Sequence, residues 1–186
     1  MGISYCDIAT THQWHGPYHD TEYGFPLEED AALFERLMLE INQAGLSWLT
    51  TLKKREAFRR AYDGFDPAIV ARYGARDQRR LLADPGIIRN RLKVEAAVAN
   101  AGRILELRES HGSFAGWLAA HHPRSKAEWV KLFKQTFRFT GGEIVGEFLM
   151  SIGYLPGAHV ESCPVHRRIM RLRPPWARTS AKRAAR

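Results

Sequence analysis

Arg79-Arg80-Leu81-Leu82-Ala83, Asp84-Pro85-Gly86 and Ile87-Ile88 read in succession as the end of one helix, a tight turn and the start of another. Proline cannot continue the first helix, and glycine supplies the turn. Ile87 and Ile88 lead a long helix expected to run to about Ser110. The whole has the form of a helix-hairpin-helix. A glycine-bearing turn at a helix N-terminus presents backbone N–H groups, and the helix dipole adds partial positive charge there. A DNA phosphate is a natural ligand, and Arg89, Arg91 and Lys93 follow directly to reinforce anion binding. Such a contact positions DNA without reading its sequence. An ordinary helical corner shows the same local pattern, so both readings stand on this stretch alone.

Outward from the hairpin, nearly everything else reads as helix, with no alternating Val/Ile/Thr runs long enough for a sheet. Residues 1–26 read as irregular. A helix follows Pro26 to about Ala44, with Leu33, Phe34, Leu37, Met38 and Ile41 as its apolar face. Gly45 breaks it, and Ser47 can cap the next helix, whose apolar set is Trp48, Leu49, Leu52, Phe58 and Tyr62. Asp66-Pro67 reads as an N-cap with proline at the first helical position. Further helices are expected over residues 113–122, 125–136 and 143–152. A helical domain of residues 1–173 made of two lobes sharing a core, followed by a basic tail over 174–186, fits the 186-residue length.

Charge is concentrated at the end of the chain. Of 28 basic residues, eight follow Ser162, where no acid occurs, and the other 20 balance the 20 acids. The net charge of +8 therefore belongs to the stretch after Ser162, which suits a nucleic-acid partner or a solvated extension equally. Pro174-Pro175 is expected to stop regular structure, and the segment beyond it reads as disordered. No apolar run is long enough for a membrane span. The opening MGISYCDIAT lacks the pattern of a signal peptide, so a cytoplasmic location is expected.

The only two cysteines, Cys6 and Cys163, each have a histidine within reach, His19 and His159. Two thiolates and two imidazoles are the ligand set of a tetrahedral zinc site, and the H-x₃-C spacing lets His159 and Cys163 turn to one metal. Buried free thiols or one disulfide remain the alternatives. Glu40 falls at the edge of the apolar stripe of its helix while Glu35 points away. A carboxylate there is either desolvated and functional or reaching outward to solvent, and outward is the commoner outcome. Tyr18 and Trp48 offer flat surfaces of the kind that hold an extruded base, though aromatics also serve as plain core. Ser47 lies in no G-x-S-x-G elbow, and no HExxH, P-loop or dinucleotide fingerprint occurs.

Taken together, Tyr18-His19-Asp20-Thr21-Glu22-Tyr23-Gly24, Glu40, Gln43-Ala44-Gly45-Leu46-Ser47-Trp48-Leu49-Thr50, Lys53-Lys54-Arg55-Glu56, Phe65-Asp66-Pro67, Gly86-Ile87-Ile88-Arg89, Phe137-Arg138-Phe139 and His159-x₃-Cys163 resemble the DNA-3-methyladenine glycosylase I family. The resemblance covers roughly residues 4–165. It implies an all-α helix-hairpin-helix glycosylase fold with a structural zinc ion on Cys6, His19, His159 and Cys163, tethering the two ends of the chain. It implies base recognition by Glu40, with Tyr18 and Trp48 as pocket aromatics, and DNA binding at Gly86, Ile87, Ile88 and Arg89. The implied activity is hydrolysis of the N-glycosidic bond of 3-methyladenine in double-stranded alkylated DNA, and a monomer fits an enzyme that scans a duplex. The superfamily's usual catalytic aspartate is absent from this family, and no Asp follows Asp84 here.

Several positions depart from the family pattern: Ile8 and Tyr23 where Trp is frequent, Ile41-Asn42 beside Glu40, Gly146 for an aromatic, and Leu149-Met150-Ser151. They leave two other functions in view, a glycosylase for a different modified base and a zinc-containing protein that binds damaged DNA without excising it. A zinc hydrolase fits poorly, because four protein ligands leave no open position for water.

Overall fold

The computed structural model describes residues 4–178, and among these there are helices but no strands. The chain forms two compact units, one built from the segments up to Leu27 and from Gly146 onward, the other from Glu28 to Val145.

The first unit joins the two ends of the sequence. Its N-terminal segment is not irregular as expected but holds two short helices, α1 (Tyr5–Ala9) and α2 (His15–Thr21). Ser4 caps α1 reciprocally with Asp7, a local signal sufficient to start a helix too short to show periodicity. Gly24 then takes φ +85 where a Cβ would lie 2.8 Å from Ala158 Cβ and 3.0 Å from Ile169 Cδ1, so only glycine lets the segments approach. Helix α11 (Pro164–Arg171) starts with Cys163 as its N-cap residue, and Val165 and Ile169 pack with Cys6, Cys163 and Phe25. Pro174-Pro175 does not end regular structure: residues 175–178 are helical, Trp176 N–H donates to the Gly153 carbonyl, and Pro174 is buried. A proline suits a first helical turn, whose amides lack helical partners in any case. Residues 179–186, most of the basic tail, lie outside the described residues.

The second unit contains α3 (Asp30–Gln43), α4 (Trp48–Ala61), α5 (Pro67–Val70), α6 (Ala75–Ala83), α7 (Arg91–His111), α8 (Phe114–His121) and α9 (Lys126–Thr136). Helix α10 (Gly142–Ser151) carries the chain back to the first unit. α3 is buried from Leu33 through Asn42 without interruption, so it has no solvent side for its polar residues. Glu35 accordingly does not point away to solvent. It is buried and receives Arg55 Nε at 2.5 Å and Arg59 Nε at 2.9 Å, which fastens α3 to α4. Asp30 accepts from the Phe114 amide and from Arg108 Nε, tying the start of α3 to α7 and α8. Phe34, Phe58, Tyr62 and Phe65 form one aromatic cluster, and Phe114, Trp117, Trp129, Phe133 and Phe137 another.

Candidate active site and metal centre

In the first unit, Cys6, His19, His159 and Cys163 converge from the two ends of the sequence, all four buried, with ligand atoms within 4.8 Å of one another. His159 Nδ1 lies 3.2 Å from His19 Nε2 and 3.6 Å from Cys6 Sγ. Cys163 Sγ lies 3.8 Å from His159 Nδ1 and 3.8 Å from His19 Nε2. Tetrahedral zinc bonds of about 2.0 Å to nitrogen and 2.3 Å to sulfur separate N from N by about 3.3 Å and N from S by about 3.5 Å. The observed spacings match that tetrahedron within a few tenths of an ångström. Both cysteines are free, so the disulfide alternative does not hold.

The atoms behind these side chains also fit a group that could hold a metal. His19 Nδ1 is 2.7 Å from Asp20 Oδ1, and His159 Nε2 is 2.7 Å from the Tyr23 carbonyl. Each imidazole thus donates its outer N–H to an oxygen and turns its other nitrogen inward, the usual arrangement behind a metal-bound histidine. Asp20 was not singled out in the sequence, although it directly follows His19. Burial pushes the Cys6 thiol up and the His159 imidazole down. A divalent cation would require the neutral imidazole already favoured and would draw the thiol to thiolate.

Tyr18, adjacent to His19 on α2, is buried and packs its ring against Tyr23 at 5.6 Å between centroids. Tyr23 donates its hydroxyl to Glu147 Oε2 at 3.0 Å. Glu147 was not noticed in the sequence, since nothing local connects it to Tyr23.

In the second unit, Glu40 is only 4% exposed. It does not reach outward to solvent, because α3 is central to its unit and presents no solvent side at that position. Trp48 is the first residue of α4, capped by Ser47, whose Oγ accepts from the Thr50 amide. Between them the chain leaves α3 at Ala44 and reverses at Gly45, φ +82. Two buried oxygens near this break, Asn42 Oδ1 and Thr51 Oγ1, have no hydrogen-bond partner.

Residues 84–90 connect α6 to α7 as a turn, but the second helix starts later than expected. Ile87, Ile88 and Arg89 precede it, Asn90 is its N-cap, and α7 begins at Arg91. Asn90 wins the boundary because its Oδ1 accepts from the Lys93 amide, a cap that isoleucine cannot provide. Asp84 Oδ1 accepts from the Gly86 amide at 2.7 Å and shapes the turn. Ile87 is buried, and Arg89 is exposed. Lys93 does not reinforce anion binding. It is 4% exposed, and its Nζ donates to the Asn42 and Ala44 carbonyls at 2.9 and 2.8 Å. Arg91 pairs with Glu95 one turn on. Lys54 on α4 donates to the Pro85 and Gly86 carbonyls of the turn at 3.0 and 3.1 Å.

The all-helical fold is similar to those of solved glycosylases. One is a variant of 3-methyladenine DNA glycosylase I in complex with 3-methyladenine, 34% identical, TM-score 0.79, covering 88% of this chain and 97% of that one. Another is 3-methyladenine DNA glycosylase I from Staphylococcus aureus, 35% identical, TM-score 0.78, covering 87% and 95%. DNA-3-methyladenine glycosylase 1 of Escherichia coli (strain K12) is 36% identical across 78% of this chain and 88% of its own length. The methyladenine glycosylase family model matches residues 8–167. The chain belongs to that family.

Proposed function

We propose that the protein is a base-excision repair enzyme that releases 3-methyladenine from alkylated duplex DNA. The observation that carries this reading is Glu40, a carboxylate buried on α3 just before the break that leads to Trp48, in a chain of the methyladenine glycosylase family. N3-methylation makes the adenine cationic, so its glycosidic bond is already weak and the base needs no protonation to leave. Glu40 accepts hydrogen bonds from the extruded base and favours its positive charge, and Trp48 stacks on it. The C1′–N9 bond breaks with its electrons going to the base, which departs neutral. Water adds to C1′ and loses a proton, leaving an abasic site. No Schiff-base lysine is invoked, so the strand stays intact.

The Cys6, His19, His159 and Cys163 group holds a structural zinc ion that clips the N-terminal segment to the C-terminal one. Four protein ligands make it a closed site with no role in hydrolysis. The 84–90 turn seats on DNA phosphates as a helix-hairpin-helix, with Gly86, Ile87, Ile88 and Arg89 at the contact. Its free backbone donors are fewer than the sequence suggested, since Asp84 and Asn90 already engage the Gly86 and Lys93 amides. A monomer acting on duplex DNA in the cytoplasm fits this reading. Among the described residues no helix is long and apolar enough to cross a membrane.

The Tyr23–Glu147 hydrogen bond beside Tyr18 favours one second reading, a glycosylase whose preferred lesion is another alkylated base. Chromatographic detection of free bases from a panel of alkylated duplexes tests both. Release of 3-methyladenine above other bases supports the first reading, and preference for another adduct supports the second. Specific binding without release would leave a damage-binding protein instead.

A further inference from the structure

Two lysines link the turn and the break in opposite directions. Lys93, three residues after the N-cap of α7, reaches the last carbonyls of α3, while Lys54, on α4, reaches the carbonyls of the 84–90 turn. Each ammonium satisfies two backbone oxygens from another segment. At the α3 end, Ala44 has left helical conformation and Gly45 runs at φ +82, and the Asn42 and Ala44 carbonyls are both met by the Lys93 ammonium. A lysine offers three donors on a long stem, and its charge complements the negative end of the α3 dipole. Burying an ammonium has a desolvation cost, and burial does depress this amine below its usual range. Phe139 completes the enclosure, its ring centroid 5.8 Å from Lys93 Nζ.

We propose that Lys93 is a positioning residue for base excision, fixing the Gly45 break and with it the placement of Glu40 relative to Trp48. This rests on the reading that Glu40 and Trp48 hold the base. Since α7 begins directly after the 84–90 turn, Lys93 also makes the DNA-seating element and the base-holding element one rigid assembly, with Lys54 as the reciprocal tie. Neither lysine is then a DNA contact, although both fall in basic stretches of the sequence.

The test compares full-length wild type with Lys93→Met, which keeps the stem and removes every donor, and with Lys93→Arg, which restores donors. The expected result for Lys93→Met is single-turnover release of 3-methyladenine slowed about tenfold or more. Affinity for a duplex carrying an abasic-site analogue stays within about twofold, with unchanged salt dependence. Amide hydrogen exchange over residues 42–47 accelerates, and Lys93→Arg recovers part of the rate. Wild-type release by Lys93→Met overturns the proposal. So does weaker duplex binding with a salt slope smaller by about one, the mark of a direct phosphate contact. If Lys93→Met does not fold, Lys93→Gln, which keeps one donor group, takes its place under the same criteria. If wild-type protein releases no 3-methyladenine, the functional reading fails by itself. Exchange over residues 42–47 then still decides Lys93, with unchanged exchange in the variant overturning its role.

Discussion

His159 faces His19 with 3.2 Å between their inward nitrogens, while their outward nitrogens lie 2.7 Å from the Tyr23 carbonyl and the Asp20 carboxylate. Both imidazoles are thereby held in the tautomer that a metal ion would require. The purified protein should carry about one zinc per chain by elemental analysis. Chelation should unfold the first unit, because the ion's binding energy is folding energy. Cys163→Ser should lower zinc content and thermal stability together. Full stability in metal-free protein would rule out the structural role.

Glu40→Gln keeps shape but removes the charge and turns one acceptor oxygen into a donor. A hydrogen bond to a charged group contributes about 1.5–3 kcal/mol. Release of 3-methyladenine should therefore slow by roughly ten- to a hundredfold, with duplex affinity retained. Unchanged single-turnover kinetics would remove Glu40 from the site.

Gly24→Ala tests how tightly the ends of the chain are joined. The new Cβ would meet Ala158 Cβ at 2.8 Å, and the backbone is left-handed there. The left-handed conformation costs an alanine about 1–2 kcal/mol, and overpacking adds about 1–3. A denaturation midpoint equal to that of wild type would show that the approach is looser than described.

Thr51→Val should raise stability by about 1 kcal/mol. Thr51 is fully buried, and its Oγ1 has no hydrogen-bond partner, so an isosteric methyl removes a desolvated hydroxyl and little else. A lower midpoint in urea would mean that the hydroxyl is satisfied by an internal water.

Alkaline pH should destabilise the second unit. Burial, followed for Tyr73 by its hydrogen bond to Asp63, pushes the phenols of Tyr62 and Tyr73 well above their ordinary range. A folded-state pKa above the unfolded one gives stability that is complete below about pH 10 and is lost as pH rises beyond it. Tyr73→Phe should flatten that decline, followed as urea midpoint against pH. An equally steep decline in the variant would place the titration elsewhere.

Caps and breaks were legible in sequence because they are local. Ser47 caps α4 and Asp66-Pro67 opens α5 as read, since a short side chain and the adjacent amide settle those boundaries between themselves. The α7 boundary was misplaced because apolar Ile87-Ile88 looked helical, whereas the side chain of Asn90 decided it. The burial of Glu35 and Glu40 escaped a single-helix reading, which assumes that every helix keeps one solvent side. α3 keeps none.

By itself the sequence determined composition-level and residue-level matters: helical class, turn positions and the Cys/His set that the fold brings together. Ligand chemistry and capping depend on residue type and short spacing, and both can be read along a chain. Tertiary structure alone decided where charges are spent. Lys93 reads in sequence as reinforcing anion binding, yet it clasps backbone carbonyls as Lys54 does, while Arg55 and Arg59 neutralise Glu35. A cation goes to whichever desolvated oxygens lie within its reach, and only packing brings Asn42 and Ala44 to Lys93 across about fifty residues of chain.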